Sequence, residues 1–196
     1  MKKRILNYRR VLPNALTKSG GFTLIEILVV TFIFAIIMGA LIATLNTGQF
    51  SSAVGSARAD LQAKIRTVIG LIIRDVRQTT LVEINSNTPS QNHIKFRKVT
   101  GIDGSGNYTL DTYYIEYTYN SALKELTRIG YDAAGGEVET TWGNITESPF
   151  YVAAGDPLAA NNILTNKKLL IVINGESNAW GSLAFSLSEE VKIRNE

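Results

Sequence analysis

From Phe22 to Leu45 the chain holds 24 residues in which Glu26 is the only charged side chain. A surface helix keeps its apolar positions to a stripe, and this run has none of that alternation. At about 1.5 Å per residue it extends roughly 36 Å as a helix, enough to cross a hydrocarbon core of about 30 Å. A buried core helix so long and so uniform would be out of scale with a chain of 196 residues. After Leu45 the pattern changes. Leu61, Ile65, Val68, Ile72 and Val76 recur every three or four residues, which predicts a helix with one apolar face. Asp60 and Lys64 stand four apart as a favourable pair on it. Residues 68–73 are apolar nearly all round, as expected where a sheet wraps a helix. No proline occurs between Phe22 and Thr88, so the helix is expected to continue out of the apolar run, with Gly48 and Gly55 as its soft points.

Beyond Ile84 the composition turns to "NSNTPSQN", a loop, and then to strand patterns. Alternation predicts strands at His93–Val99, Tyr108–Tyr119, Ala122–Ile129, Glu137–Trp142, Lys168–Ile173 and Leu183–Ile193. Asp103-Gly104-Ser105-Gly106-Asn107 and Asn120-Ser121 read as hairpin turns. Residues 143–167 read as one long connection. The organisation expected is therefore α+β: residues 1–21 a leader, 22–45 a membrane-spanning helix, 46–84 its amphipathic continuation, and 85–196 a β-rich domain. Residues 46–196 are expected to fold on their own.

Charge sharpens this division. The net charge of +3 conceals a leader, residues 1–21, with six basic side chains and no acid, followed by 14 basic and 17 acidic side chains in the remainder. Positive charge ahead of an apolar run places that end in the cytoplasm and the chain after Leu45 outside. The acidic balance of the folded part argues against a general nucleic-acid binder, which needs a clustered basic surface. With no cysteine, neither a disulfide framework nor a thiolate metal site can form. An ordinary cleaved secretory signal fits poorly. Its apolar region runs about 7–15 residues before an A-x-A-like site, and the nearest such tripeptide here, Ala57-Arg58-Ala59, lies well past the end of the run.

A carboxylate in an apolar segment is costly and marks a functional residue by default. Glu26 follows Gly21-Phe22-Thr23-Leu24-Ile25 directly, between a basic leader and a long apolar run. That constellation resembles the processing site of type IV prepilins and pseudopilins. The resemblance implies a pilin-like α+β fold, a long N-terminal helix packed on an antiparallel β-sheet domain. It also implies that a membrane-embedded prepilin peptidase cuts after Gly21 and N-methylates the new N-terminal Phe22. Glu26 would then serve assembly by pairing with the Phe22 amine of a neighbouring subunit. A pair within one helix, Glu26 with its own Phe22 amine, competes with this. The partners implied are the peptidase and methyltransferase, other pilins or pseudopilins in a filament, and the inner membrane. Nucleic acid is not implied.

Residues 93–130 and 182–196, in "IKFRKVTGI", "YYIEYTYN" and "SLSEEVKIRNE", are similar to minor subunits, especially J-type pseudopilins and W-type minor pilins. The absence of a proline in the apolar half departs from many major pilins. The smaller residues Ala35, Gly39 and Ala43 recur every fourth position, a stripe that lets helices approach closely in lipid, although ordinary membrane use of Gly and Ala accounts for it equally well.

Other chemistry is sparse. The single histidine, His93, cannot build a multi-histidine metal site, and no enzymatic constellation or cofactor is expected. Asp103–Asn107 could supply oxygen ligands to Ca²⁺, but a glycine-rich hairpin turn is the expectation. Asn107-Tyr108-Thr109 and Asn144-Ile145-Thr146 match the glycosylation pattern and are taken as turn residues. Gly101, Gly104 and Gly106 do not open a helix after a strand, so they form no phosphate cradle. Two functions remain: a filament subunit, and a single-pass tether carrying an external binding domain. Gly21-Phe22 with Glu26 favours the first, because a tether has no use for them.

Overall fold

A computed structural model describes residues 21–177 and 183–193. The chain falls into two compact units, Met1–Thr47 and Gly48–Glu196. In the first unit the described part is helical from Leu24, and every residue from 21 to 52 is exposed. Helix α1 is assigned to Leu24–Val76, without interruption at Gly48 or Gly55.

In the second unit α1 becomes amphipathic. Leu61, Ile65, Val68, Ile69, Ile72, Ile73 and Val76 are buried, including every position of the predicted apolar face. Burying each such aliphatic side chain is worth roughly 1.5–3 kcal/mol. Around residues 68–73 Gly70 stays exposed, so the helix keeps one open side. The expected pairing of Asp60 with Lys64 gives way to a longer-range contact. Lys64 Nζ donates to the Gly143 carbonyl at 2.6 Å, fastening the helix to the end of a strand.

The amphipathic helix also ends earlier than Ile84. After Val76 the chain turns, and a separate short helix α2 runs Leu81–Ser86, capped by Thr80, whose side chain accepts from the Glu83 amide. Thr at an N-cap satisfies an amide that a continuing helix would otherwise have bonded, so it favours a new start.

Two antiparallel four-stranded sheets follow. The first is a meander, β1 (His93–Ile102), β2 (Tyr108–Asn120), β3 (Glu125–Tyr131) and β4 (Glu137–Gly143), in that spatial order. The second has the order β6-β5-β7-β8, from β5 (Phe150–Ala153), β6 (Asp156–Pro157), β7 (Lys168–Ser177) and β8 (Leu183–Lys192). The bridge Ile145↔Gly175 and the bonds from Thr146 N to Asn174 O and from Glu176 N to Asn144 O link the chain just after β4 to β7. The core joins α1 to Ile94, Phe96, Ile115, Tyr117 and Leu126 from the first sheet and Phe150, Leu169, Ile171 and Ile173 from the second. Gly175 explains the close approach of β7. A Cβ there would stand 2.6 Å from Ile65 Cδ1 and 2.9 Å from Leu61 Cδ1.

Two strand expectations change. Residues 143–167 are not one connection, since they hold β5, β6 and the short helix α3 (Asn162–Asn166), with Phe150, Val152, Leu158 and Ile163 buried. Elements of two to five residues carry too little periodicity to register in sequence. The strand expected from Ala122 begins at Glu125, because Asn120 Oδ1 accepts the amides of Ala122 and Leu123 and lengthens the turn. Lys124 closes it at φ 54°, in the left-handed region. The strands of the expected antiparallel domain divide into two sheets, according to which strands pair across long separations.

Candidate functional site

The chain enters α1 through three non-helical residues, Gly21, Phe22 and Thr23. Thr23 Oγ1 accepts from the Glu26 amide at 3.3 Å. In return Glu26 Oε2 accepts from the Thr23 amide at 2.9 Å and from its hydroxyl at 3.0 Å. This is a reciprocal capping box, with Thr at the N-cap and Glu three residues on. It satisfies two backbone donors that the start of a helix leaves bare, and it sets the carboxylate against the positive end of the helix dipole. The tolerance of a glutamate here therefore has a local cause, one legible in the spacing Thr-x-x-Glu. Among the described residues the second oxygen, Oε1, makes no hydrogen bond.

The apolar run keeps its polarity internal. The hydroxyls of Thr31, Thr44 and Thr47 each donate at 2.9 Å to a carbonyl of their own helix, those of Leu28, Ala40 and Ala43. Lipid requires that economy, because it offers no competing partner. Phe22 is 81% exposed, and large aliphatic and aromatic side chains are exposed down to Phe50. Monomers in water rarely present an apolar surface of such extent. Ala35, Gly39 and Ala43 lie along one side of this exposed helix at four-residue intervals. The basic residues of the leader, up to Lys18, lie outside the described residues.

A second polar cluster, invisible in the sequence, sits at the other end of α1. Asp75 is fully buried and accepts from Tyr117 Oη at 2.8 Å, Arg128 Nε at 2.9 Å and Arg128 Nη2 at 2.9 Å. Lys98 Nζ approaches to 3.7 Å. A shift of register in β1 between Arg97 and Val99 accompanies that approach, since a bulge re-aims a side chain. Gly130 leaves room for the guanidinium, as a Cβ there would stand 2.5 Å from Arg128 Nη1. Burial and the Asp75 charge push the Tyr117 hydroxyl well above its ordinary value. For Arg128 burial acts downward, and the Asp75 carboxylate outweighs it, so its pKa is raised. The cluster is a compensated buried ion pair that ties α1 to β1, β2 and β3. Its residues are separated by 42 and 53 positions, so no spacing could have announced it.

The remaining candidates resolve into turns and pairs. Asp103 Oδ1 accepts the amides of Ser105 and Asn107, each at 2.8 Å. These bonds hold the carboxyl below its usual range and commit it to the hairpin. Asn107 lies in that turn after Gly106 at φ 89°, and Asn144 adopts φ 66°. His93 Nε2 stands 3.0 Å from Glu116 Oε1, and Lys95 Nζ 3.0 Å from Glu116 Oε2.

Likeness to known proteins is concentrated at the N-terminal site. Residues 16–42 match the family described as the prokaryotic N-terminal methylation motif, the type IV prepilin-like signature. No curated protein and no solved structure matches the chain. The motif and the N-terminal apolar helix support a pilin or pseudopilin subunit, a structural role rather than an enzymatic one. They fit a single-pass inner-membrane protein, and the motif implies processing by prepilin peptidase and assembly with other pilins.

Proposed function

We propose that this protein is a minor subunit of a type IV pilus or of a type II secretion pseudopilus, close to the J-type pseudopilins and W-type minor pilins. The leader, residues 1–21, lies in the cytoplasm. Prepilin peptidase cuts between Gly21 and Phe22, and Phe22 is N-methylated. Residues 22–45 serve first as membrane anchor and then as assembly helix, while 46–84 and 85–196 form the external domain. The observation that carries this reading is a methylation motif over residues 16–42 that overlaps an exposed apolar helix and precedes an α+β domain.

Two details support it. A Cβ at Gly21 would meet nothing within 4 Å, so neither the chain's own packing nor a left-handed backbone demands glycine there. An extended substrate strand entering a protease cleft does benefit from it. The capping box, for its part, occupies Oε2 of Glu26 and leaves Oε1 for another donor. Cleavage creates a cationic amine at Phe22, which methylation leaves cationic, and in a low dielectric that amine needs a partner. The Oε1 atom of a neighbour's Glu26 provides one, so charge sets the register between adjacent helices. Ala35, Gly39 and Ala43 give those helices a close-packing face.

N-terminal sequencing with mass measurement of the assembled protein tests the reading. The expected product begins at N-methyl-Phe22. Gly21→Val should accumulate a precursor that retains residues 1–21. Assembled material that still starts at Met1, unmethylated, overturns the proposal.

A further inference from the structure

At one end of the first sheet β2 and β3 part, and a small cavity lies between them. Their paired residues stop at Glu116↔Ile129. Beyond that point Tyr113 and Tyr131 stack on each other, with ring centroids 4.7 Å apart and planes at 19°. The turn from β3 to β4 fixes this aromatic wall. Asp132 Oδ1 accepts the amides of Ala134 at 2.9 Å and Gly136 at 2.8 Å. Gly135, at φ 82°, leaves space for the Tyr113 hydroxyl, which a Cβ there would strike. Lys98, Arg128 and Asp111 complete the lining with Tyr113, Tyr131 and Asp132, and the volume is about 70 Å³.

The cationic side of this lining is short of acceptors. Lys98 Nζ has three protons to donate. Its ion contact, with Asp75 Oδ1, is 3.7 Å long, beyond hydrogen-bond range. Arg128 commits Nε and Nη2 to Asp75 and Tyr117, while its Nη1 makes no hydrogen bond among the described residues. The two side chains are 30% and 13% exposed, deeper than Tyr113 and Tyr131 at 42% and 40%. Asp75 supplies one negative charge against their two, so the deep side keeps a positive excess. The two aspartates add acceptors of another kind. Asp111 Oδ1 accepts the Tyr113 amide at 3.4 Å, and Asp132 Oδ1 belongs to its turn. Among the described residues neither Oδ2 has a donor.

We propose that this cavity binds a sugar acid, a hexuronate, by its carboxylate. The carboxylate accepts from Lys98 Nζ and Arg128 Nη1, two groups that the protein leaves without partners. Such charge-assisted bonds are about twice as strong as neutral ones. The space suits a head group alone, since pockets for whole ligands begin at roughly 300 Å³. The sugar ring therefore stays at the mouth, its C–H face against the exposed tyrosines and its hydroxyls donating to the Oδ2 atoms of Asp111 and Asp132. Those aspartates also select among anions. They repel the second charge of a phosphate, and a simple carboxylic acid offers them no hydroxyl.

Ligand-observed NMR on the full-length, detergent-solubilised protein tests this with D-glucuronate as the probe. Glucuronate should bind about tenfold more tightly than D-glucose, because glucose cannot accept a charge-assisted pair at the deep side. It should also bind more tightly than acetate, glycine or inorganic phosphate. Lys98→Gln should bring glucuronate down to the level of glucose, and Lys98→Arg should restore it. Unfolding midpoints of both variants check that the fold is kept. Tyr131→Ala touches no buried charge and is the second variant, expected to weaken glucuronate and glucose alike by several-fold. Equal binding of glucuronate and glucose, or no binding of either, would overturn the site. So would glucuronate binding indifferent to Lys98→Gln or to Tyr131→Ala. Acetate, glycine or phosphate binding as tightly as glucuronate would overturn the assignment to a sugar acid. Binding requires neither leader cleavage nor assembly, so its failure leaves the filament reading untouched, and the reverse holds as well.

Discussion

The chain uses nearly the same five residues twice, Thr23-Leu24-Ile25-Glu26-Ile27 and Thr80-Leu81-Val82-Glu83-Ile84. Both start a helix, and in both the threonine hydroxyl accepts the amide of the glutamate three residues on. The carboxylates then part company. Glu26 folds back onto its own cap, exposed at the head of an apolar run. Glu83 is buried and turns to β1, where it accepts from the Arg97 amide at 3.2 Å, Nε at 2.9 Å and Nη2 at 3.1 Å. That pairing raises the Arg97 pKa. A local motif thus decides where a helix begins. What surrounds the motif decides whether its charge holds the fold together or stays available to another molecule.

The sharpest way to break this contrast is to remove each carboxylate. Glu26→Ala should insert and be cleaved normally, because Gly21 is untouched, and it should leave the unfolding midpoint of the external domain unchanged. Its recovery in sheared filaments should fall by about tenfold or more, since a neighbour's amine would be left unpaired in a low dielectric. Glu26→Gln should fall between. A Glu26→Ala protein that is cleaved and incorporates like wild type would reduce this residue to a tolerated helix-end charge.

Asp75 gauges how far a fully buried carboxylate can serve the fold. Asp75→Ala should cost about 3–5 kcal/mol, because Arg128 and Tyr117 lose their partner inside the protein. Denaturant unfolding of the detergent-solubilised chain, followed by tryptophan fluorescence, measures it. A loss below about 1 kcal/mol would place that cluster among exposed pairs.

Glu83→Ala should be milder, near 2 kcal/mol, because the Arg97 side chain keeps 33% exposure and water takes over part of its charge. It should leave leader cleavage alone. An effect of Glu83→Ala on filament recovery larger than its effect on unfolding would erase the distinction between the two glutamates. Thr80→Ala removes only the cap and should cost about 1 kcal/mol in the same assay.

The smallest effect expected is that of acid. Hydrogen bonds from the turn hold the Asp103 carboxyl low. At Glu116 burial acts upward, but the bonds from Lys95 and His93 outweigh it, and its pKa is also lowered. In the unfolded chain both groups take up protons at a higher pH than in the native state. The stability they contribute is therefore present above the ordinary carboxylate range and is lost as the pH falls through their depressed native values. Unfolding midpoints should drop on acidification through that window. Glu116→Gln should flatten part of the slope, while Glu26→Gln should leave it unchanged.

Much of this molecule is local and therefore readable along the chain. The apolar run, the amphipathic face of α1, the hairpin turn at Asp103 and the Thr-x-x-Glu caps all follow from side-chain periodicity or from bonds within a few residues. The constellation Gly21-Phe22-Glu26 is legible for the same reason, being written for recognition as an extended segment. Other features have no local cause. Asp75, Tyr117 and Arg128 meet only when α1, β2 and β3 pack, and the two sheets separate only through pairings such as Ile145 with Gly175. The short elements between residues 150 and 166 exist because their few apolar side chains find the core, not because they propagate alone. The fate of the two glutamates divides along this line. Sequence set each at the start of a helix, where backbone amides welcome a carboxylate. Tertiary structure alone brought Arg97 to Glu83 and left Glu26 at an exposed helix end, because ion pairing over long separations depends on how the chain packs.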